Sequence, residues 1–472
     1  MSMAADCTWS AARGGLIACA CVLAAAPLQL AVSGLRGPLK RLAWGLLLVP
    51  CFTPVLLVAY GYLDVFNALA RHPGWRQAGY AALLWMRLVP VAVVAVQFAP
   101  RSLSAEALHC HRLLGPRRRG ALGMLVHGPL RGWAAGFGAA FLLAFGEFEM
   151  ASLLRVTAWS VTLFDAHAGG LPLGDSVRMA LVPAPWEMVL LGAVLALLFG
   201  AGRHPAVSLE APSRAGRWMR RPAAAYVIVA AALVAGVPLC KIAAGSAAGL
   251  ATALSQSGGL WREVAASALF GAAAAACAWL LTGAVLGSRR RAPALAAAAP
   301  GLLGALVLAL LVQAAFQLPG LRRFYDTPLP LVVCLALLLL PMAVLLRALV
   351  RATRPGAGLH AARLLHASGD AGVRRRGGLI EREILTRGRF WVIFLLFCWG
   401  YFDMVASSIL PPAGVNPIFA LLHNQMHYGQ MSVLSAWVLL AFAVPIVVLA
   451  AAGAAPAVRR AAVRLKGTGV CT

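Results

Sequence analysis

The sequence predicts an all-α, polytopic membrane protein of about eleven transmembrane helices, and three observations predict it. Of 472 residues, 61% are hydrophobic and only 12% charged, with a mean hydropathy of +0.82; a water-soluble domain carries about a quarter of its residues as charges. Apolar runs of about 20 residues, the length that crosses a hydrocarbon core as a helix, recur from end to end. The basic residues collect in alternate connections between those runs. A membrane barrel would instead show alternating apolar and polar residues over segments of about ten.

The runs fall near 15–34, 42–62, 77–99, 132–154, 181–201, 222–243, 263–287, 296–316, 328–346, 390–410 and 430–453. The stretch up to Gly34 holds acidic Asp6 and only Arg13 as a basic residue, so it reads as an uncleaved first span rather than a signal peptide. With the N-terminus outside, the connections facing the cytoplasm hold 31 Lys and Arg and the opposite connections 8, while Arg87 and Lys241 fall within spans. This is the positive-inside pattern of a multi-pass protein of the cell (inner) membrane, and it puts the C-terminus in the cytoplasm. The net charge of +26 is thereby a topology signal and needs no nucleic acid; membrane lipid headgroups are the partners that basic loops attract. Ten cysteines without a CxxC pair read as small core residues, not as a disulfide framework.

The chain also echoes itself. The third connection contains His111-Arg112-Leu113-Leu114-Gly115 followed by Arg117-Arg118-Arg119-Gly120. The ninth contains Ala362-Arg363-Leu364-Leu365, Gly369 and Arg374-Arg375-Arg376-Gly377. Each loop precedes a span with a related block: Gly146-Glu147-Phe148-Glu149-Met150-Ala151-Ser152 and Gly400-Tyr401-Phe402-Asp403-Met404-Val405-Ala406-Ser407. The offsets are 251, 257 and 254 residues. Six spans separate the loops, so the repeat is parallel. The expected organisation is a first half, 1–210, with about five helices and a loop at 100–131, and a second half, 211–472, with about six and a loop at 351–389.

Chemistry-bearing residues are few. No GxxxxGK[ST] cradle occurs, so the chain does not hydrolyse ATP by itself. Glu147, Glu149 and Asp403 are acids within spans, where an ionised group costs several kcal/mol unless it faces protein or water. Glu149 and Asp403 share a repeat position, which makes the three acids candidates either for a translocation path or for packing at the outer ends of their spans. Arg87 and Lys241 are expected to snorkel or to pair. His423, Met426 and His427 share a helical face with soft-metal ligand types, and His109-Cys110-His111 alternates without a fourth ligand; we assign no metal and no cofactor. The histidines do not converge as an enzyme's would, so the chain is read as a non-enzyme.

The first loop reads Ser104-Ala105-Glu106-Ala107-Leu108, then Gly115, then Leu125-Val126-His127-Gly128-Pro129-Leu130; the second offers His360-Ala361-Ala362 with Gly369. With Gly146-Glu147-Phe148, Trp159 to Asp165, Gly169 to Leu173, Pro411-Pro412-Ala413-Gly414 and Met426-His427-Tyr428-Gly429, this resembles the permeases of binding-protein-dependent ATP-binding-cassette importers. The likeness is to the fused two-half type of the iron(III) and thiamine systems and covers about 300 residues. It departs from that family's loop pattern in the longer Glu106 to Gly115 spacing, in Gly128-Pro129 for Leu-Pro, and in Glu381-Arg382-Glu383 where proline is expected. The resemblance implies two copies of a cassette ATPase gripping coupling helices at Glu106, Ala107 and Gly115 and at Ala361, Ala362 and Gly369. It also implies an extracytoplasmic solute-binding protein, alternating access, and a small solute, ferric iron among them. An ion-coupled secondary transporter and a membrane-embedded enzyme are the alternatives.

Overall fold

A computed structural model describes residues 3–98, 129–189, 217–255, 259–287, 299–352, 356–386, 388–426 and 431–467. Among them the chain is helical throughout, with no strand. Among the described residues seven helices are long and apolar enough to cross a membrane, or eight if the bent pair Gly37–Phe52 and Val55–Arg71 is one span; Gly132–Phe145 and Ala305–Phe316 are shorter apolar helices. The run at 181–201 is described only to residue 189.

The chain divides into two compact units, Met1–Ile242 with Leu302–Pro319, and Ala243–Gly301 with Gly320–Thr472. In the first, α1 (Met3–Ser33), α4 (Pro73–Phe98) and α5 (Pro129–Phe145) pack pairwise. Around them lie α2 (Gly37–Phe52), α3 (Val55–Ala68), α6 (Glu149–Leu153), α7 (Trp159–Ala168), α8 (Leu173–Ala180) and α9 (Arg217–Ala231). A π turn, Ala232–Gly236, leads into α10 (Val237–Ser255), and α12 (Ala305–Phe316) packs on α8. In the second unit α11 (Leu260–Gly287), α13 (Leu329–Ala352) and α16 (Arg389–Tyr401) form the equivalent trio. There α14 (Gly356–His366) and α15 (Ala371–Thr386) make a hairpin, followed by α17 (Val405–Ile409), α18 (Ile418–Gln425) and α19 (Met431–Gly467).

Two runs expected to be continuous are broken. α5 stops at Phe145 and restarts as α6 at Glu149; α16 stops at Tyr401 and restarts as α17 at Val405. Glycine governs how tightly each broken helix meets the first helix of its trio, since small residues let helix backbones approach. A Cβ on Gly271 of α11 would lie 2.8 Å from Tyr401 N, and one on Gly14 of α1 would lie 3.5 Å from Phe145 N. Gly14 and Gly271 stand 257 residues apart, so the contact recurs with the repeat.

Arg87 and Lys241, the two cations expected within spans, each find partners. Pro54 ends α2 and frees its last carbonyls; Arg87 of α4 donates to Thr53 O (3.1 Å) and to Pro50 O (3.4 Å). Lys241 pairs with Asp64 at 2.6 Å and stands over the Tyr60 ring. Tyr62 donates to Leu233 O (2.8 Å), a carbonyl of the π turn that Pro238 follows.

The glycine contacts differ in slack, and this gives a test. Gly271→Val is expected to destabilise the chain by about 1–3 kcal/mol, the cost of overpacking against rigid backbone, while Gly14→Ala is close to neutral. Thermal unfolding of both variants in mild detergent checks the order.

Candidate functional site

The breaks in α5 and α16 leave orphan N–H groups at the starts of α6 and α17, and a carboxylate two residues before each start accepts them. Glu147 accepts from Met150 N (2.6 Å) and Ala151 N (3.0 Å); Asp403 accepts from Ser407 N (3.1 Å). The structural counterpart of Asp403 is therefore Glu147, 256 residues earlier, and not Glu149. Glu149 is the first residue of α6. Written in order, the two blocks align the acids that precede methionine; the fold aligns the acids that precede a helix by two.

A second repeated device went unseen in the sequence. On α1, Asp6, Ser10 and Gly14 are spaced by four; on α11, Glu263, Ser267 and Gly271 stand 257 residues later at the same spacing. Ser10 Oγ accepts from Trp159 N (3.2 Å), the start of α7, and Ser267 Oγ from Ile418 N (2.8 Å), the start of α18. Asp6 accepts the Thr162 hydroxyl (2.8 Å), and Glu263 accepts Asn416 N (2.9 Å). In each unit one face of the first helix thus holds the chain that returns after the break. An acid, a serine and a glycine at i, i+4 and i+8 in both halves was the signal.

On this shared frame the first unit adds polar groups that the second lacks. Arg13 is 7% exposed and donates from Nη1 to Gln77 Oε1 and to Thr157 O, both at 2.9 Å. Its guanidinium lies 4.7 Å from the centre of the Tyr80 ring, and Tyr80 donates to Glu147 Oε2 (2.8 Å). Glu187, in a helical stretch at 184–189, is 2% exposed, with Oε2 buried and without a hydrogen-bond partner. Asp6 Oδ1 and Arg13 Nε are likewise buried and unsatisfied. At the repeat positions of Arg13, Gln77 and Tyr80 the second half has Phe270, Val333 and Ala336. The fold does not require the network, since the second unit is built without it. In the neighbouring connection, partial burial lowers the pKa of His167 and raises that of Asp165.

Of the loop residues, Glu106, Ala107 and Gly115 lie outside the described residues. Ala361 and Ala362 are on α14, the first exposed and the second buried, and Gly369 is in the turn with open space around it. The glycine that shapes the hairpin is Gly377: a Cβ there would stand 2.4 Å from His366 N and 2.6 Å from Leu365 C. Glu381 of α15 ties back to Arg363 (3.1 Å) and His366 (3.4 Å), and Asp370 caps α15 through Gly372 N and Val373 N. Leu364 and Leu379 remain 61% and 60% exposed, and Arg374, Arg375 and Arg376 are exposed beside them. His423 and Met426 are buried, His427 is outside the described residues, and no group of three His, Cys, Asp or Glu able to hold a metal occurs among the described residues. Comparisons with protein-family models, curated proteins and solved structures find no match.

If the acids are helix caps, shape and not charge matters most. Asp403→Ala is expected to cost about 1–2 kcal/mol, and Asp403→Asn, which keeps an acceptor, to recover most of it. Denaturant titration followed by circular dichroism reads the difference.

Proposed function

We propose that this chain is the membrane-spanning permease subunit of an ATP-binding-cassette importer, moving a small solute across the cytoplasmic membrane by alternating access driven by separate ATPase subunits. The observation that carries the reading is the pair of matched units. Each has a three-helix core, a broken helix after the Arg-rich loop, a carboxylate holding the restart and a serine holding the start of the helix that follows it. A coupled machine needs two such rigid bodies, each with a loop through which force enters.

The loop of the second half supports this role. The α14–α15 hairpin is internally clamped by Gly377 and Glu381, yet it keeps leucines and arginines exposed. A rigid, partly apolar, basic hairpin suits the cleft of a soluble partner better than it suits water. Contacts also respect alternation of the spans: Asp6, Ser10 and Arg13 meet Gln77, Thr157, Trp159 and Thr162, while Gln29 meets Gln97 at the other ends of the same helices. With the positive-inside pattern, this supports an N-terminus outside and a C-terminus in the cytoplasm. A solute-binding protein would then dock outside, and ferric iron is the solute that the resemblance favours. The buried network of Arg13, Tyr80 and Glu147, together with the buried acid Glu187, favours one rival, an ion-coupled secondary transporter that uses intramembrane acids without an ATPase.

Affinity purification of the tagged chain in mild detergent, with mass identification of copurifying proteins, separates the two readings. A cassette ATPase at two copies per chain is expected; a chain repeatedly isolated alone would favour the secondary transporter. In the same assay Gly377→Leu is expected to abolish ATPase retention and Gly369→Ala to preserve it, because only the former meets backbone.

A further inference from the structure

One carboxyl of the first unit caps no helix. Glu187 is 2% exposed, and its Oε2 is buried without a hydrogen-bond partner. Its other oxygen, Oε1, faces the break of α5, where a Cβ on Gly146 would lie 3.7 Å from it. The neighbouring polar groups are already committed. Glu147, which follows that glycine, accepts from Met150 N, Ala151 N and the Tyr80 hydroxyl, and Arg13 Nη1 donates to Gln77 and to Thr157 O. Among the described residues no Lys, Arg or His forms an ion pair with Glu187. The other ionisable groups near it are Asp6 and Cys7 of α1; Asp6 and Glu187 both lie within electrostatic reach of the Cys7 thiol. Its own stretch, 181–189, holds no further ionisable residue. An ionised carboxylate isolated in this way costs far more than a neutral one, and a group so placed takes up a proton instead.

The second unit builds the same break without such an acid. Gly400 stands 254 residues after Gly146, and a Cβ there would meet Gly271 Cα and Leu339 Cδ1, both at 3.3 Å, and no carboxylate. The last helix of that unit, α19, contains no Asp or Glu from Met431 to Gly467. Packing at the break therefore does not call for Glu187.

We propose that Glu187 is a proton-binding site whose carboxyl is neutral while packed against the break of α5 and exchanges its proton with water when that break opens. Hinges are short segments at the ends of elements, and the link from Gly146 to Phe148 between α5 and α6 is such a segment. On opening, the acid O–H bond breaks, the proton passes to a water molecule and the electron pair stays on the carboxylate; closing reverses the step. The site stands whichever energy source drives the chain, so a chain isolated without an ATPase would leave it intact.

Infrared difference spectroscopy of the detergent-purified full chain, stepped from neutral to alkaline pH, reads the carbonyl stretch of protonated carboxyl groups. The wild type is expected to lose such a band at alkaline pH and to show it shifted in heavy water. Glu187→Gln is expected to lack the band and Asp6→Asn to keep it. A band undiminished in folded Glu187→Gln, or lost in Asp6→Asn instead, overturns the assignment. A band that does not shift in heavy water marks a sealed acid and overturns the exchange. Should Glu187→Gln fail to fold, Glu187→Asp decides: the band is expected to move, and an unmoved band overturns the proposal.

Discussion

A helix that breaks inside hydrocarbon must find partners for the backbone groups it frees, because no water is there to take them and each unsatisfied group costs several kcal/mol. Several polar residues placed within spans in this chain answer that constraint. Arg87 takes the carbonyls freed at Pro54, Tyr62 takes one from the π turn, and Glu147 and Asp403 take the N–H groups of two restarting helices. Trp159 does the same from the other direction, its indole donating to Phe145 O at 2.7 Å where α5 stops. The breaks and their partners are one design: remove the partner and the break becomes the most costly feature of the unit.

What the sequence made legible is what a one-dimensional pattern can carry. Hydropathy marks apolar segments, and the order of features in two loops marks a duplication. Neither reveals where a helix stops, since Phe145 to Glu149 and Tyr401 to Val405 are as apolar as a continuous span would be apart from their acids. The register error follows from this. Glu149 and Asp403 match as letters, whereas capping depends on distance to a helix start, and by that measure the partner of Asp403 is Glu147. The Asp6-Ser10-Gly14 and Glu263-Ser267-Gly271 stripes were hidden for a related reason: single polar residues in long apolar helices look incidental until the segments they hold are known.

The loop glycines show the same limit. The resemblance singles out Gly369, but it sits in an open turn where a side chain meets nothing, whereas Gly377 lies where α15 touches the backbone of α14. Spacing identifies a turn; only packing identifies the residue that cannot be larger.

Duplication also turns differences into information. When one frame is built twice in a chain, residues that recur are those the frame needs, and residues present in one copy alone answer to something else. By that standard the carboxylate caps, the serines and the close glycines belong to architecture. Arg13 with Gln77 and Tyr80 in one unit, and Arg347 with Arg389 and Trp279 in the other, do not. Arg13 keeps a cation buried among apolar helices, where desolvation is costly without compensation, and the opposite copy shows that the cores pack with Phe270, Val333 and Ala336 in place of the first set and with Val22, Val91 and Trp133 in place of the second. The two units share a skeleton, and their unshared charges are where the work specific to each half is to be sought.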